Sequence, residues 1–183
     1  MRAPIISQQI RLRHPDHLTM GEGSIIDDFC YISTKVRVGR FSHIASGCSI
    51  AGGAAHTFAL GDYSSLSSGV KIWCVSDDFV NDIVTIVPPG VPQFKEHLIQ
   101  GDVICERLTA VGANSVVMPG NHIPEGTTIG ALSFVPPGYA FEPWTVYAGT
   151  PIRPIKARNR GAVLRQLARF EAALTAQSPE DTP

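Results

Sequence analysis

The chemically versatile side chains of this 183-residue chain are six histidines and four cysteines, set among 16 acidic residues. His56 and His97 stand on either side of an adjacent acid pair, Asp77 and Asp78. An imidazole titrates near neutrality, and a carboxylate that orients it makes it a general base for a nucleophile. His56 beside Asp77 or Asp78 would form such a couple, and His97 offers a second imidazole. His43 and His122 each precede an inward aliphatic residue of a regular pattern and read as solvated face residues. His14 and His17 lie ahead of that pattern as cap residues, and no metal site is expected. Cys30, Cys48 and Cys105 fall on interior positions and read as reduced core thiols, whereas Cys74 reads as packing near a loop root.

A six-residue repeat positions these groups. Steps of six from Met20 reach Ile26, Ile32, Val38, Ile44 and Ile50; a second frame runs Leu60, Leu66, Ile72. A third runs from Ile99 through Cys105, Val111, Val117, Ile123 and Ile129 to Val135. Four positions after each aliphatic residue the chain carries a small or β-branched side chain, such as Ser24, Ser42, Ala54, Ser64, Thr109 or Ser133. Gly21, Gly39, Gly61, Gly112 and Gly130 directly follow the aliphatic position, where a bend leaves little room. Three hexads close one triangular coil, and coils stack as parallel strands, giving an all-β helix about five coils high. A β-sandwich would alternate with period two instead.

The phase slips twice, across His56–Ala59 and across the 78–98 segment, and both slips follow the third hexad of a coil. They therefore leave by one edge, which puts His56 about one strand spacing, ~5 Å, from Asp77, Asp78 and the loop's return at His97. Beyond Arg158, Val163, Leu164, Leu167, Phe170 and Leu174 recur at helical spacing. The organisation expected is a lead-in over 1–19, a β-helix over 20–158 with its loop at 78–98, a helix over 159–176 and a flexible tail over 177–183.

Composition narrows the partners. A net charge of −1 with 17% charged residues gives no reason to expect nucleic acid or an acidic membrane surface. No apolar run reaches the ~18 residues of a spanning helix, and Met1 to Arg13 lack the apolar core of a signal peptide, so a cytoplasmic location is expected.

The hexads, the run Gly112–Gly120 (GANSVVMPG), Ile129–Ser133 (IGALS) and Tyr147–Ile155 (YAGTPIRPI) resemble the hexapeptide-repeat acyltransferases, in particular the galactoside, maltose and xenobiotic O-acetyltransferase branch. The resemblance spans about residues 20–158. It implies a left-handed parallel β-helix, a homotrimer, and acetyl-CoA as co-substrate in a cleft between subunits walled by the long loop. It also implies that Ala113, Ala131 and Pro136 border the pantetheine arm, and that Arg153 and Lys156 meet the nucleotide phosphates. One position departs from the family: where that branch carries its basic histidine, this chain has Asp77.

The resulting expectation is an acetyl-CoA-dependent O-acetyltransferase for a sugar or sugar-nucleotide acceptor, in surface-polysaccharide biosynthesis. Three candidates stand for the missing base: His56, His97, or no histidine at all, with Asp77 or Asp78 contacting an amino-sugar acceptor. The last corresponds to an N-acetyltransferase of the same fold. A non-catalytic trimer and a metal-dependent protein of the carbonic anhydrase type are the remaining alternatives.

Overall fold

The computed structural model describes residues 2–83, 85–86 and 90–177. The chain winds as a left-handed β-solenoid of about seven turns, followed by one helix. Each turn has three short walls. The first is built by Ile5–Ile6, Ile25–Ile26, His43–Ile44, Ser65–Leu66, Ala110–Val111, Thr128–Ile129 and Thr145–Ala148, paired in parallel in that order. The second stacks Arg11–Leu12, the start of Tyr31–Val38, the start of Ser49–Leu60, Lys71–Trp73, Val116–Val117 and Phe134–Val135. The third stacks Leu18–Met20, the ends of the two long strands, Val103–Cys105 and His122–Ile123. One aliphatic residue per wall fills the interior, so Ile26, Ile44, Leu66, Val111 and Ile129 form one buried column, and Ile50, Ile72, Val117 and Val135 another.

Corners explain the rest of the hexad. A Cβ added to Gly112 would collide with the Ala131 nitrogen of the next turn, and one on Gly39 would lie 2.5 Å from the Asp62 nitrogen. Backbone is therefore in contact with backbone along the stack. The small residue four positions on is buried and ties a corner carbonyl: Ser42 Oγ donates to Gly61 O at 2.7 Å, Ser115 Oγ to Gly130 O at 3.0 Å, and Asn121 Nδ2 to Met118 O at 2.7 Å. Buried backbone acceptors thus find partners that water cannot supply.

The structure departs from the sequence reading in three places. Residues 1–19 do not merely lead in, because Ile6, Leu12 and Met20 pair with Ile26, Ile32 and Val38 as a full first turn. The stack is taller than five coils for that reason and because Tyr147 adds a last rung. The first slip is taken up by Gly53–His56 and not by His56–Ala59: Ala54 is exposed, while Phe58 is buried between Val36 and Val103 as its bulk demands. Ile99 is not a coil residue, since Ile99–Gln100 forms an antiparallel hairpin with Val75–Ser76 and the third wall resumes at Val103–Cys105.

Two later segments close the molecule. Arg153–Ala157 turns back antiparallel over Thr145–Ala148, the last rung. The helix Arg160–Ala176 starts with the Asn159 side chain capping Ala162 N at 3.0 Å and lies along the corner between walls three and one. Its Phe170 sets its edge on Phe41 and Tyr63, and its Glu171 accepts from Arg40 and Tyr63. Phe41 and Tyr63 hold the left-handed conformation, φ 52° and 56°, a cost of ~1–2 kcal/mol each that their stacking and the helix offset. Of the tail expected over 177–183, residues 178–183 lie outside the described residues.

The corner contacts predict that Gly112→Ala, with no polar group gained or lost, destabilises the protein by ~1–3 kcal/mol through overpacking alone. Thermal unfolding of the variant should show a midpoint several degrees lower at unchanged far-ultraviolet signal.

Candidate active site

Both excursions leave the solenoid at the corner between walls two and three. The proof is the register on either side: Ile50 pairs with Ile72 on wall two, and Leu60 with Cys105 on wall three. The four-residue bulge Gly53–His56 therefore lies directly beneath the root of the long loop. Thr34, buried one turn below, holds the bulge by donating to His56 O at 2.7 Å and Gly53 O at 3.0 Å.

The carboxylate beside His56 is not the one expected. His56 Nδ1 lies 3.5 Å from Asp102 Oδ1, its side chain 19% exposed. The Thr57 amide donates to the same Asp102 oxygen at 2.9 Å, which fixes the carboxylate against the bulge. The side-chain oxygen Oε1 of Gln100 lies 3.4 Å from His56 Nε2. In the tautomer with its hydrogen on Nδ1, the nitrogen nearer Asp102, the Nε2 lone pair can take a proton from an acceptor. Neither Asp77 nor Asp78 forms a hydrogen bond or ion pair with His56. Asp77 accepts from Lys95 at 2.7 Å, and Asp78 folds into a turn, accepting from the Asn81 side chain at 2.6 Å and from the backbone amides of Val80 and Asn81, bonds that lower its carboxyl below its ordinary value.

His97 is also committed elsewhere. Its backbone amide and Nδ1 both meet Asp82, at 2.8 and 3.0 Å, binding the returning strand of the loop to its outgoing one. That bond raises the imidazole above its ordinary value and lowers the Asp82 carboxyl. The hexad arithmetic continued by Ile99 hides Asp102 and Gln100, and Asp82 lies within the loop, where no repeat marks it. Starting the wall from Cys105, the true partner of Leu60, would have put Asp102 beside Thr57. Cys74, close to this corner, is fully buried, and burial pushes its thiol up to about 11, so it is a packing residue.

The five residues expected near a cofactor fall on three features. Ala113 and Ala131 stack in successive turns of the corner between walls one and two, where Leu132 N donates to Ala113 O at 2.9 Å. Arg153 pairs across from Ala148, which covers Gly130, so this exposed residue stands two layers above Gly130, the neighbour of Ala131. Lys156 sits opposite Val146 on the same antiparallel ribbon. Pro136 lies at the other end of wall two, on the corner that also carries His56, and its carbonyl accepts from Asn121. Arg158, in contrast, is turned inward to the carbonyls of Leu108 and Gly126, and serves the fold. Among the described residues no three His, Cys, Asp or Glu side chains come together as a metal-ligand set.

No family profile matches the sequence. The chain is 31% identical over 148 residues, 79% of its own length and 74% of the relative's, to the dTDP-4-amino-4,6-dideoxy-D-glucose acyltransferase of Escherichia coli. A variant of AntD, an N-acyltransferase from Bacillus cereus, superposes with a TM-score of 0.81 at 29% identity, over 92% of this chain and 90% of that one; that structure holds dTDP-4-amino-4,6-dideoxyglucose and coenzyme A. A maltose O-acetyltransferase from Clostridium difficile 630 shares the fold, with a TM-score of 0.56 at 20% identity over 87% of this chain and 68% of that one. The protein is an enzyme of the hexapeptide-repeat class. It belongs to the acyltransferases of that class, with sugar acyltransferases among its relatives.

The loop clamp carries a pH dependence of definite sign. Its His97 half is complete below the ordinary imidazole value of 6.5 and is lost as pH rises through the raised value; its Asp82 half is complete above 3.8 and is lost as pH falls through the lowered one. Cleavage of the 78–98 loop by a protease active across the range should therefore accelerate on the alkaline side, relative to an unstructured peptide control. In His97→Ala the loop should be cleaved faster at neutral pH, without that alkaline step.

Proposed function

We propose that the enzyme transfers an acyl group from acyl-CoA to the amino group of a sugar nucleotide, with His56 as the base and Asp102 as the residue that orients it. The observation that carries this reading is the His56–Asp102 pair at the root of the loop. Nitrogen is favoured over the oxygen acceptor of the first expectation because the Escherichia coli relative is named for an amino sugar and AntD is named an N-acyltransferase. The acyl donor follows AntD as well, whose structures include one with dTDP and 3-hydroxybutyryl-CoA.

In the reaction the acceptor nitrogen attacks the thioester carbonyl carbon, the C–S bond breaks, and an amide and free CoA thiol form. His56 Nε2 takes the proton that the nitrogen sheds and returns it to the departing sulfur, so no proton is gained or lost overall. Asp102 keeps the proton of the imidazole on Nδ1 and stabilises the transient imidazolium. Acyl-CoA and nucleotide sugars are both cytoplasmic metabolites, which supports a cytoplasmic location.

The placement of the groups also supports a homotrimer. Ala113, Ala131 and Arg153 occupy one corner of the prism and His56 another, with the whole of wall two between them, a span of up to ~20 Å for six extended residues. A cleft in which the first corner of one copy faces the His56 corner of its neighbour brings the two together. Pro136 would line the same cleft from the His56 side, three turns above.

Three outcomes test this reading. With a 4-amino-sugar nucleotide and acetyl-CoA, release of CoA thiol should be observed, and His56→Ala should lower kcat by ~10²–10⁴ while the constant for acetyl-CoA barely moves. Activity retained in His56→Ala would remove the base. Changing Arg153 and Lys156 together to Ala should raise the constant for acetyl-CoA well over tenfold, since a charge-assisted contact is worth ~1.5–3 kcal/mol. Sedimentation should give about three times the 19.7 kDa chain, and co-expressing the His56→Ala chain with the Arg153/Lys156 double variant should restore ~1/4 of all sites, one in each mixed trimer. A monomer, or mixed chains with no recovery, would refute the shared cleft.

A further inference from the structure

The third wall of the first three turns carries a cavity that the acyl-transfer step leaves unused. Asp16, His17, Thr19, Lys35, Arg37 and Thr57 line about 220 Å³ of open space. The parallel ladder explains the grouping: Lys35 stands beside Thr57 of the turn above, and Arg37 beside Thr19 of the turn below. Lys35 and Arg37 alternate with the buried Thr34, Val36 and Val38, so both project from the same outer face, ~7 Å apart along the strand.

Three observations mark this as a site for an anion. Among the described residues neither Lys35 nor Arg37 forms an ion pair, and Asp16, though on the rim, has no oxygen within 4.0 Å of either cation. Two like charges side by side repel unless a counter-charge comes between them. His17 adds an unmade bond: among the described residues its Nδ1 is the buried side-chain polar atom without a hydrogen-bond partner. Buried polar atoms of that kind are rare because leaving them unpaired is costly.

The position of the cavity relates it to the reaction. Thr57 directly follows His56, and its amide binds the Asp102 carboxylate that orients the imidazole. The cavity begins where the His–Asp pair ends and descends one to two turns, ~5–10 Å. That distance suits a molecule whose reacting group meets His56 and whose charged group lies about one sugar ring away.

We infer that this cavity binds the diphosphate of a nucleoside diphosphate sugar, an inference that rests on the acyl-transfer reading above and supplies it with a specific acceptor subsite. Arg37 offers a planar pair of donors to phosphate oxygens, Lys35 a point charge, His17 a ring nitrogen, and Thr19 and Thr57 hydroxyls. A neutral free sugar would leave both cations unmatched, so the site selects the activated form of the acceptor.

Calorimetry on the purified, assembled enzyme tests it with dTDP, UDP, inorganic pyrophosphate and thymidine as probes. The expected result is that at least one nucleoside diphosphate binds, pyrophosphate competes with it, and thymidine at the same concentration does not. Lys35→Ala with Arg37→Ala should weaken that binding at least tenfold, with acetyl-CoA affinity and melting temperature unchanged, and Arg37→Lys should lose less than Arg37→Ala. The inference is overturned if the double variant binds dTDP and UDP as tightly as the parent, or if the parent binds neither at millimolar concentration. Loss of acetyl-CoA binding in the parent would instead strike the acyl-transfer reading, and the nucleotide titration would still decide the cavity.

Discussion

Everything at the candidate site depends on the phase of the coil being kept across its interruptions. Ile50 over Ile72 and Leu60 over Cys105 are apolar pairs in parallel register, buried to 2% exposure or less, and they clamp the chain on both sides of one corner. Because a slip of one residue in a strand would turn each interior side chain outward, the register is strongly fixed. The bulge and the long loop can therefore grow only outward from that corner, one above the other. The approach of His56, on the bulge, to Asp102, where the chain re-enters the third wall after the loop, follows from the stacking of the walls.

This division of labour accounts for what the sequence disclosed. A period of six held by Ile, Val and Leu is a packing signal, and the coil, its glycine corners and its polar ladder were legible because each repeats the same constraint. Ile6, Leu12 and Leu18 carried the same signal for the first turn, but Arg13, His14 and Pro15 interrupt it and the end turn buries less, so the apolar pattern fades there. The site was legible only in outline. Its edge followed from the two phase slips, and His56 was correctly located on that edge. The identity of its carboxylate partner was not, because Ile99 happens to satisfy the hexad while its backbone belongs to a hairpin outside the coil.

The aspartates that replace the expected histidine illustrate the difference between sequence adjacency and chemical adjacency. Asp77 and Asp78 follow the wall directly, yet each is consumed by the loop itself, one by Lys95 and the other by the Asn81 turn. The loop spends its charges on its own shape: Lys95 to Asp77 and His97 to Asp82 fasten its two arms. Asp102, which lies past the hairpin where the chain re-enters the third wall, is left to face the bulge. An imidazole supplied from the turn below and a carboxylate from the turn above give the pair two independent anchors.

The short antiparallel ribbon Arg153–Ala157 has a consequence for the molecule's surface beyond the residues it displays. A parallel solenoid ends in a row of unpaired amides and carbonyls, an invitation for another chain to add the next layer and for the stack to grow into a fibre. Here the polypeptide reverses direction over its last rung, opposes a different hydrogen-bond geometry to any newcomer, and carries Pro154, which has no amide hydrogen to offer. Arg153 and Lys156 add charge to the same border. On this wall, addition of a further parallel rung is blocked by the reversed direction of five residues.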